Sequence, residues 1–290
     1  MNHIDLHTHS SHSDGSLSPR QLVQLAKERR LRAIALTDHD TVAGVEEALE
    51  AGNELGVEVV PGVEISAQHP PGTMHILGYY INASNGRLLE ALKKLQQARA
   101  ARNPKIIERL QALGLEISTT EVLDLSAGQV GRPHIARALV NKGYVSSIDQ
   151  AFSLYLKKGA VAYVEKFRFP PKETIAAIRE AGGIAVLAHP FTLGMERPEE
   201  LFQLLVELRE MGLEGVEVYY PDHSKEKAVL YEDVAKRLGL VCTGGSDFHG
   251  NFRDHSYLGN TLLGKGLDYK ILQDLRARLQ ERERQQAAKM

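Results

Sequence analysis

The chain has 290 residues, 43% of them hydrophobic, enough for one large core or two smaller ones, and nothing in its composition points to disorder or collagen-like repetition. Its 35 basic and 37 acidic side chains leave a formal charge of -2, which excludes a global electrostatic pull towards nucleic acid or an anionic membrane; an anionic substrate must be held by local positive charge or by metal. A single cysteine, Cys242, excludes an internal disulfide, the N-terminus MNHIDLHTHS lacks an export pattern, and no run reaches the roughly 18 apolar residues of a membrane span, so a cytoplasmic location is expected.

From the N-terminus, short β-branched, apolar runs alternate with helical patterns. HIDLHTH is followed by a helix over 18–30, AIALTDH by one over 43–55, and VEVVPGVEI by a further strand, TMHILGYYI. This alternation predicts a parallel sheet. The rhythm stops at Asn82 and resumes near Pro170, with helix 172–181, strand GIAVLAHP, helix 197–211, strand GVEVYY, helix 224–238 and strand LVCTGGSDFH. Between them, residues 83–165 read as helical, with two amphipathic stretches around Asn103-Pro104 and shorter helices beyond Gly131. The expectation is a barrel domain formed by 1–82 and 166–290, with 83–165 a helical insertion subdomain capping the active site. The stretch 268–286 is apolar early and charged late, which predicts a helix with a solvated second half and no assigned function.

Several of the 12 histidines share one setting, the end of an apolar strand beside an acidic residue. In a barrel of parallel strands these ends converge on one face. His7 and His9 alternate on an extended strand, so both imidazoles can reach one ion, with Asp14 following. His39 lies in Thr37-Asp38-His39-Asp40, where the aspartates are taken as caps or as partners that fix an imidazole tautomer. Glu64 ends VVPGVEI, and its two oxygens can bridge two metals. His75, His189, Asp247 and His249 complete the set. Each alone has an ordinary alternative, a buried hydrogen-bonded histidine or a surface salt bridge; their recurrence argues for a site. Six imidazoles and three carboxylates are too many for one ion and suit two or three, with open positions for water and substrate. Nitrogen and hard oxygen donors without thiolate suit Mn²⁺, taken as the expected metal, or Zn²⁺ or Fe²⁺. His3, His12, His69, His223 and His255 have no ligand-like setting, though His223, Tyr219 and Tyr220 follow a strand near the barrel mouth.

HxH…D, TDHD, PGVEIS, HILGY, AHP and SDFH, in this order from residue 3 to about residue 260, resemble the polymerase and histidinol phosphatase (PHP) family of metallophosphoesterases. The resemblance implies a distorted (β/α)₇ barrel with a trinuclear metal centre. By motif, one ion would take His7, His9, Glu64 and Asp247, a second Glu64, His75 and His189, and a third Asp14, His39 and His249. The helical insertion is similar to that of a branch holding a phosphatase of 3′,5′-nucleoside bisphosphates and a 5′-to-3′ exoribonuclease. That likeness points to Arg99, Arg102, Arg132 and His134 as substrate-side residues. Guanidinium groups can bind phosphate bidentately, and Arg132 and His134 flank a helix start that favours anions. For Arg99 and Arg102 the competing reading is a solvated helix face.

The expected chemistry is attack on phosphorus by a metal-activated hydroxide, with Arg132 offsetting charge and Asp14 or His249 serving the leaving group. The expected substrate is a 3′,5′-nucleoside bisphosphate losing its 3′-phosphate. Alternatives are exonuclease action on short 5′-phosphorylated RNA, histidinol phosphate hydrolysis, and a non-catalytic metal-binding module. Near-neutral charge and a lack of aromatic residues interleaved with basic ones argue against a long single-strand track. A monomer is the default.

Overall fold

The computed structural model describes residues 3–69, 72–195, 197–252 and 257–288. Its strands are β1 (His3–Thr8), β2 (Ala33–Leu36), β3 (Glu58–Ala67), β4 (Met74–Tyr79), β5 (Ile184–Leu187), β6 (Gly215–Tyr219), β7 (Val241–Gly244) and β8 (Leu267–Asp268). Every residue of β2 and β5 is buried, as expected of strands covered on both faces. The eight form one sheet in the order β7-β6-β5-β4-β3-β2-β1-β8. A bridge from Thr8 to Phe248, with His9 N–H donating to Phe248 O at 2.9 Å, brings β1 against the segment after β7 and nearly closes the barrel.

The sheet is not wholly parallel. β4 runs antiparallel to both β3 and β5, and β8 antiparallel to β1. The cause is connection length: β3 and β4 are joined by a few residues, whereas a parallel pair needs a crossover of a dozen or more.

Helices α1 (Pro19–Glu28), α2 (Val45–Leu55), α7 (Pro171–Glu180), α8 (Pro198–Glu210) and α9 (Lys225–Leu238) clothe the barrel, with α3 (Gly86–Ala112), α4 (Thr119–Leu123), α5 (Arg132–Asn141) and α6 (Ile148–Ala151) occupying the stretch between β4 and α7. Ser18 starts α1 with a reciprocal capping box to Gln21, and Gly56 and Gly239 end α2 and α9 in left-handed geometry. Alternate strand residues divide between two cores. Ile34, Leu36, Ile76 and Leu187 join residues of the covering helices, while Ala33, Ala35, Leu77, Tyr79, Ile184 and Val186 form the barrel interior.

Helix α10 (Tyr269–Ala287) closes that interior with Leu272 and Leu275. Its second half is not simply solvated: Arg276 pairs with Glu58, Arg278 donates to Gly239 O, and Arg282 to Gly183 O and Glu214. These partners stand at or just before the starts of β3, β7, β5 and β6, so α10 lies across the N-terminal strand ends.

The two stretches expected around Asn103-Pro104 are one helix, α3 (Gly86–Ala112), with Pro104 inside it. An internal proline removes a backbone donor and normally bends or breaks a helix. Here apolar anchors on both sides outweigh it. Leu88, Leu92 and Leu95 pack in the barrel's outer core, whereas Ile106, Ile107 and Leu110 pack in a third core. That third core draws on α4 (Thr119–Leu123), α5 (Arg132–Asn141) and α6 (Ile148–Ala151), through Val122, Ile135, Leu139 and Ile148.

Candidate metal centre

The C-terminal ends of the strands place all nine expected residues in one cluster. His7 and His9 come from the end of β1 and Asp14 from the loop after it, His39 follows β2, Glu64 lies on β3, His75 near the start of the antiparallel β4 opposite Ser66 of β3, His189 follows β5, and Asp247 and His249 follow β7. Asp40, His189 and Asp247 have φ of 54°, 26° and 52°, three of the five non-glycine residues with positive φ among those described. Backbone held in this sparsely populated region concentrates at functional sites.

Ligand atoms within 4.8 Å of one another form three groups: His7, His9, Glu64 and Asp247; His9, Asp14, His39 and His249; and His39, Glu64 and His75. The first matches one expected set, and the second adds His9 to another. In the third, His39 stands where His189 was expected. His189 is nonetheless adjacent, its Nε2 lying 2.9 Å from Glu64 Oε1. Glu64 is the hub: its oxygens lie 2.8 Å from Nδ1 of both His39 and His75, and 3.4 Å from Nε2 of both His7 and His9.

Short separations here do not mean hydrogen bonds. His7 Nε2, both nitrogens of His9, Asp14 Oδ1, His39 Nδ1, Glu64 Oε2 and His75 Nδ1 are buried without a hydrogen-bond partner. Each orphaned polar atom costs about 1–3 kcal/mol, so seven in one cluster call for a ligand. Imidazole and carboxylate lone pairs converging at angles that hydrogen bonds do not serve fit divalent cations.

Neighbouring groups hold the rings in place. Glu217 Oε1 lies 3.0 Å from His7 Nδ1, leaving His7 Nε2 to face the cluster, and Oε2 accepts from His189 N–H at 2.8 Å. His249 Nδ1 faces Asp247 O at 2.8 Å, His189 Nδ1 faces Thr192 Oγ1 at 3.2 Å, and Tyr220 OH donates to Asp247 Oδ2 at 2.7 Å. The aspartates beside His39 do other work than expected. Asp38 accepts from Ser10 N–H, Ser10 OH and Ser13 OH, tying down the loop that carries Asp14. Asp40 accepts from Ser66 N–H, Arg99 and Lys166. Burial acts to raise the Glu64 and Asp14 pKa values, but the surrounding imidazoles, His39 foremost, hold both carboxyls well below the usual range. Burial and the nearby His249 push His9 down to about 3.

Beside this cluster lies a second one of opposite sign. Arg99 and Arg102 are buried, not on a solvated helix face. Arg99 Nη2 donates to Asp40 Oδ2 at 2.6 Å, and Arg102 to Asn103 Oδ1 at 2.9 Å. Arg132 donates to Leu156 O at 2.9 Å, with its guanidinium 5.5 Å from the Phe152 ring and 5.7 Å from the Tyr163 ring. His134 accepts from Gly131 N–H at 3.0 Å through Nδ1. Gly131 separates the clusters narrowly: a Cβ there would stand 3.3 Å from Arg99 Nη1 and 3.6 Å from Asp14 Oδ2. Lys166 Nζ, 2.8 Å from Asp40 Oδ2, and Arg168 belong to the same positive group. Burial and Arg99 push the Lys166 pKa down to about 7 against the pull of Asp40, and burial with the neighbouring guanidiniums pushes Arg102 down as well.

Lys166, Arg168 and Glu217 escaped the sequence reading, although each left a signal. Glu217 is a lone acid inside the apolar run GVEVYY, and Lys166-Phe167-Arg168-Phe169 is a basic and aromatic alternation of the kind held to be missing. His223, Tyr220, Tyr231 and Phe191 pack as an aromatic group beneath the site, so Tyr220 serves Asp247 from a buried position. His3, His12 and His69 belong to none of the three ligand groups; His255 lies outside the described residues. Among the described residues no helix is long and apolar enough to cross a membrane.

A family model described as the PHP domain matches residues 5–165. A 5′-3′ exoribonuclease of Haemophilus influenzae is 36% identical, over 84% of this chain and 89% of that protein. A phosphoribosyl 1,2-cyclic phosphate 1,2-diphosphodiesterase of Eggerthella lenta is 33% identical, over 88% and 97%, and a 3′,5′-nucleoside bisphosphate phosphatase of Chromobacterium violaceum 33%, over 86% and 88%. Among solved structures, a Bifidobacterium adolescentis protein described as a metal-dependent phosphoesterase superposes with a TM-score of 0.87 at 31% identity, covering 95% of this chain and 96% of that one. With its strand-end imidazoles and carboxylates set for divalent metal, the chain belongs to the PHP-domain family and is a metal-dependent phosphoesterase.

Proposed function

We propose that the enzyme removes the 3′-phosphate of a nucleoside 3′,5′-bisphosphate. The observation that carries this reading is the pairing of two sites of opposite character on either side of Gly131. The imidazole and carboxylate cluster suits the ester to be cut, and the group of buried Arg99, Arg102 and Lys166 with half-buried Arg132 suits a second phosphate on the same molecule. The names of the Eggerthella and Chromobacterium relatives each describe a pentose with two phosphate groups. The Haemophilus relative supports a second reading, removal of a 5′-nucleotide from short 5′-phosphorylated RNA, which breaks the same kind of bond.

His7, His9, Asp14, His39, Glu64, His75, His189, Asp247 and His249 would hold two or three ions, Mn²⁺ being the expected one. When bound, such ions offset phosphate charge and lower the pKa of water from about 15.7 towards roughly 7. Arg99, Arg102 and Arg132 orient the second phosphate, and His134 lines the approach from α5. Asp14 is assigned the proton returned to the departing ribose oxygen, through the carboxylate oxygen that an ion leaves free, with His249 beside it, its Nε2 3.3 Å from Asp14 Oδ1. The helices built on the third core, 83–165, act as a cap that supplies Arg132 and limits the substrate to a small molecule or a chain end.

The test is elemental analysis combined with phosphate-release assays on adenosine 3′,5′-bisphosphate, 5′-AMP, histidinol phosphate and a short 5′-phosphorylated RNA. Two to three metals per chain and preference for the bisphosphate are expected. Equal rates on 5′-AMP and the bisphosphate would refute a role for the second phosphate.

A further inference from the structure

A cavity of about 440 Å³ opens beside the two clusters, sharing Lys166 and Arg168 with the positive one. Its walls include His69, Thr73, Tyr163, Lys166, Phe167 and Arg168. Thr73 lies two residues before His75, and the adjoining Ala67 pairs with Met74, so one wall is the same β3–β4 pair that carries Glu64 and His75. A further part of the wall is the strip Lys166-Phe167-Arg168, fastened alongside the end of β3 by a bridge between Ala67 and the following Phe169, with Gln68 N–H donating to Phe169 O at 2.8 Å.

Along this strip the side chains divide. Lys166 turns inward to Asp40 and Ser66, and Arg168 pairs with Glu165, which also accepts from Tyr163 OH at 2.8 Å. Phe167 is 51% exposed, its ring held edge-on by Phe169 with centroids 4.9 Å apart. A lone exposed phenylalanine needs no explanation. A steadied ring on the wall of a cavity next to the metal-binding strands, bordered by the Lys166 and Arg168 of the positive cluster, has the chemistry that holds a base at a chain end: a π face on which it can stack.

We propose that this cavity is a subsite for a second nucleotide, the one on the far side of the scissile phosphate, with Phe167 as its stacking platform. The proposal rests on the nucleotide reading of the metal site and extends it to dinucleotides and short RNA ends. In the step served, water oxygen bonds to phosphorus, the bond from phosphorus to the 3′ oxygen breaks, and that oxygen takes a proton. The products are a nucleoside 5′-monophosphate and a remainder bearing a 5′-phosphate, which sits in the cavity. No redox partner is required.

The experiment compares the full chain with Phe167→Ala and Phe167→Trp on a 5′-phosphorylated diribonucleotide and on adenosine 3′,5′-bisphosphate. Stacking of one base predicts a fall of roughly tenfold in kcat/KM on the dinucleotide for Phe167→Ala, less than about twofold on the bisphosphate, and recovery in Phe167→Trp. Binding of a dinucleotide with 2-aminopurine at its second position to metal-free protein gives an independent readout, with fluorescence quenching expected for wild type and Phe167→Trp and absent for Phe167→Ala. An unchanged dinucleotide rate in Phe167→Ala, an equal loss on both substrates, or a wild type that cuts the bisphosphate but leaves the dinucleotide intact would each overturn the subsite alone. A wild type that cuts neither substrate would overturn the nucleotide reading as well.

Discussion

Glu217 touches no expected substrate atom, yet it orients two candidate ligands at once, His7 through the ring nitrogen turned away from the cluster and His189 through its backbone. Replacing Glu217 with Gln keeps the shape and removes the charge. Metal affinity should fall by roughly 10–100-fold, as is usual for groups that fix a ligand's tautomer, and competition against a chelator measures it. Unchanged affinity would mean that the ring is positioned by packing alone. Lys166 makes a different forecast, one of sign. Its folded-state pKa of about 7 lies below the ordinary 10.5, so between those values the unfolded chain binds the extra proton and this group makes stability rise with pH. An anion beside Lys166 favours the protonated form and reverses the preference. Inorganic phosphate should therefore raise the melting temperature of metal-free protein more at about pH 6 than at about pH 8.5, and Lys166→Met should flatten that difference.

At the level of elements, α3 belongs to two cores at once, with the arginine-bearing turns between its anchors. If the third core folds as a unit, Ile135→Ala should destabilise it by about 2–5 kcal/mol. Hydrogen exchange should then quicken across 106–156 while β1 to β7 stay protected; uniform acceleration would show that the third core and the barrel unfold together. Most of this architecture was legible in the chain. Strand ends carrying HTH, TDHD, AHP and SDFH announce the convergence of ligands because apolar runs and their polar termini are local signals. Strand direction is not local, so the antiparallel course of β4 was read as parallel. Nor does periodicity report distant partners: Pro104 read as a break, and Arg99 and Arg102 had an exposed reading, because what overrides them lies elsewhere in the chain, α4 to α6 packing against the far half of α3 and Asp40 pairing with Arg99. Lys166 and Phe167 were missed for a simpler reason, that four residues are too short a run to stand out against a balanced composition.

For the whole molecule, a formal charge of -2 conceals two adjoining regions of opposite sign, and the barrel holds the negative one together against its own unsatisfied atoms. Chelation should abolish turnover and lower the melting temperature, with Mn²⁺ restoring both; at a thousandfold excess over Kd the stabilisation is about 4 kcal/mol. A melting temperature indifferent to chelator would argue against metal at the buried cluster. The double membership of α3 has one more outcome. Arg132 rides on the helices of the third core, whereas every candidate metal ligand belongs to the barrel. Should that core loosen first on warming, the ratio of activity on a bisphosphate to activity on a plain aryl phosphate will decline before total activity does. Discrimination, rather than chemistry, would then set the upper limit of the enzyme's useful temperature range.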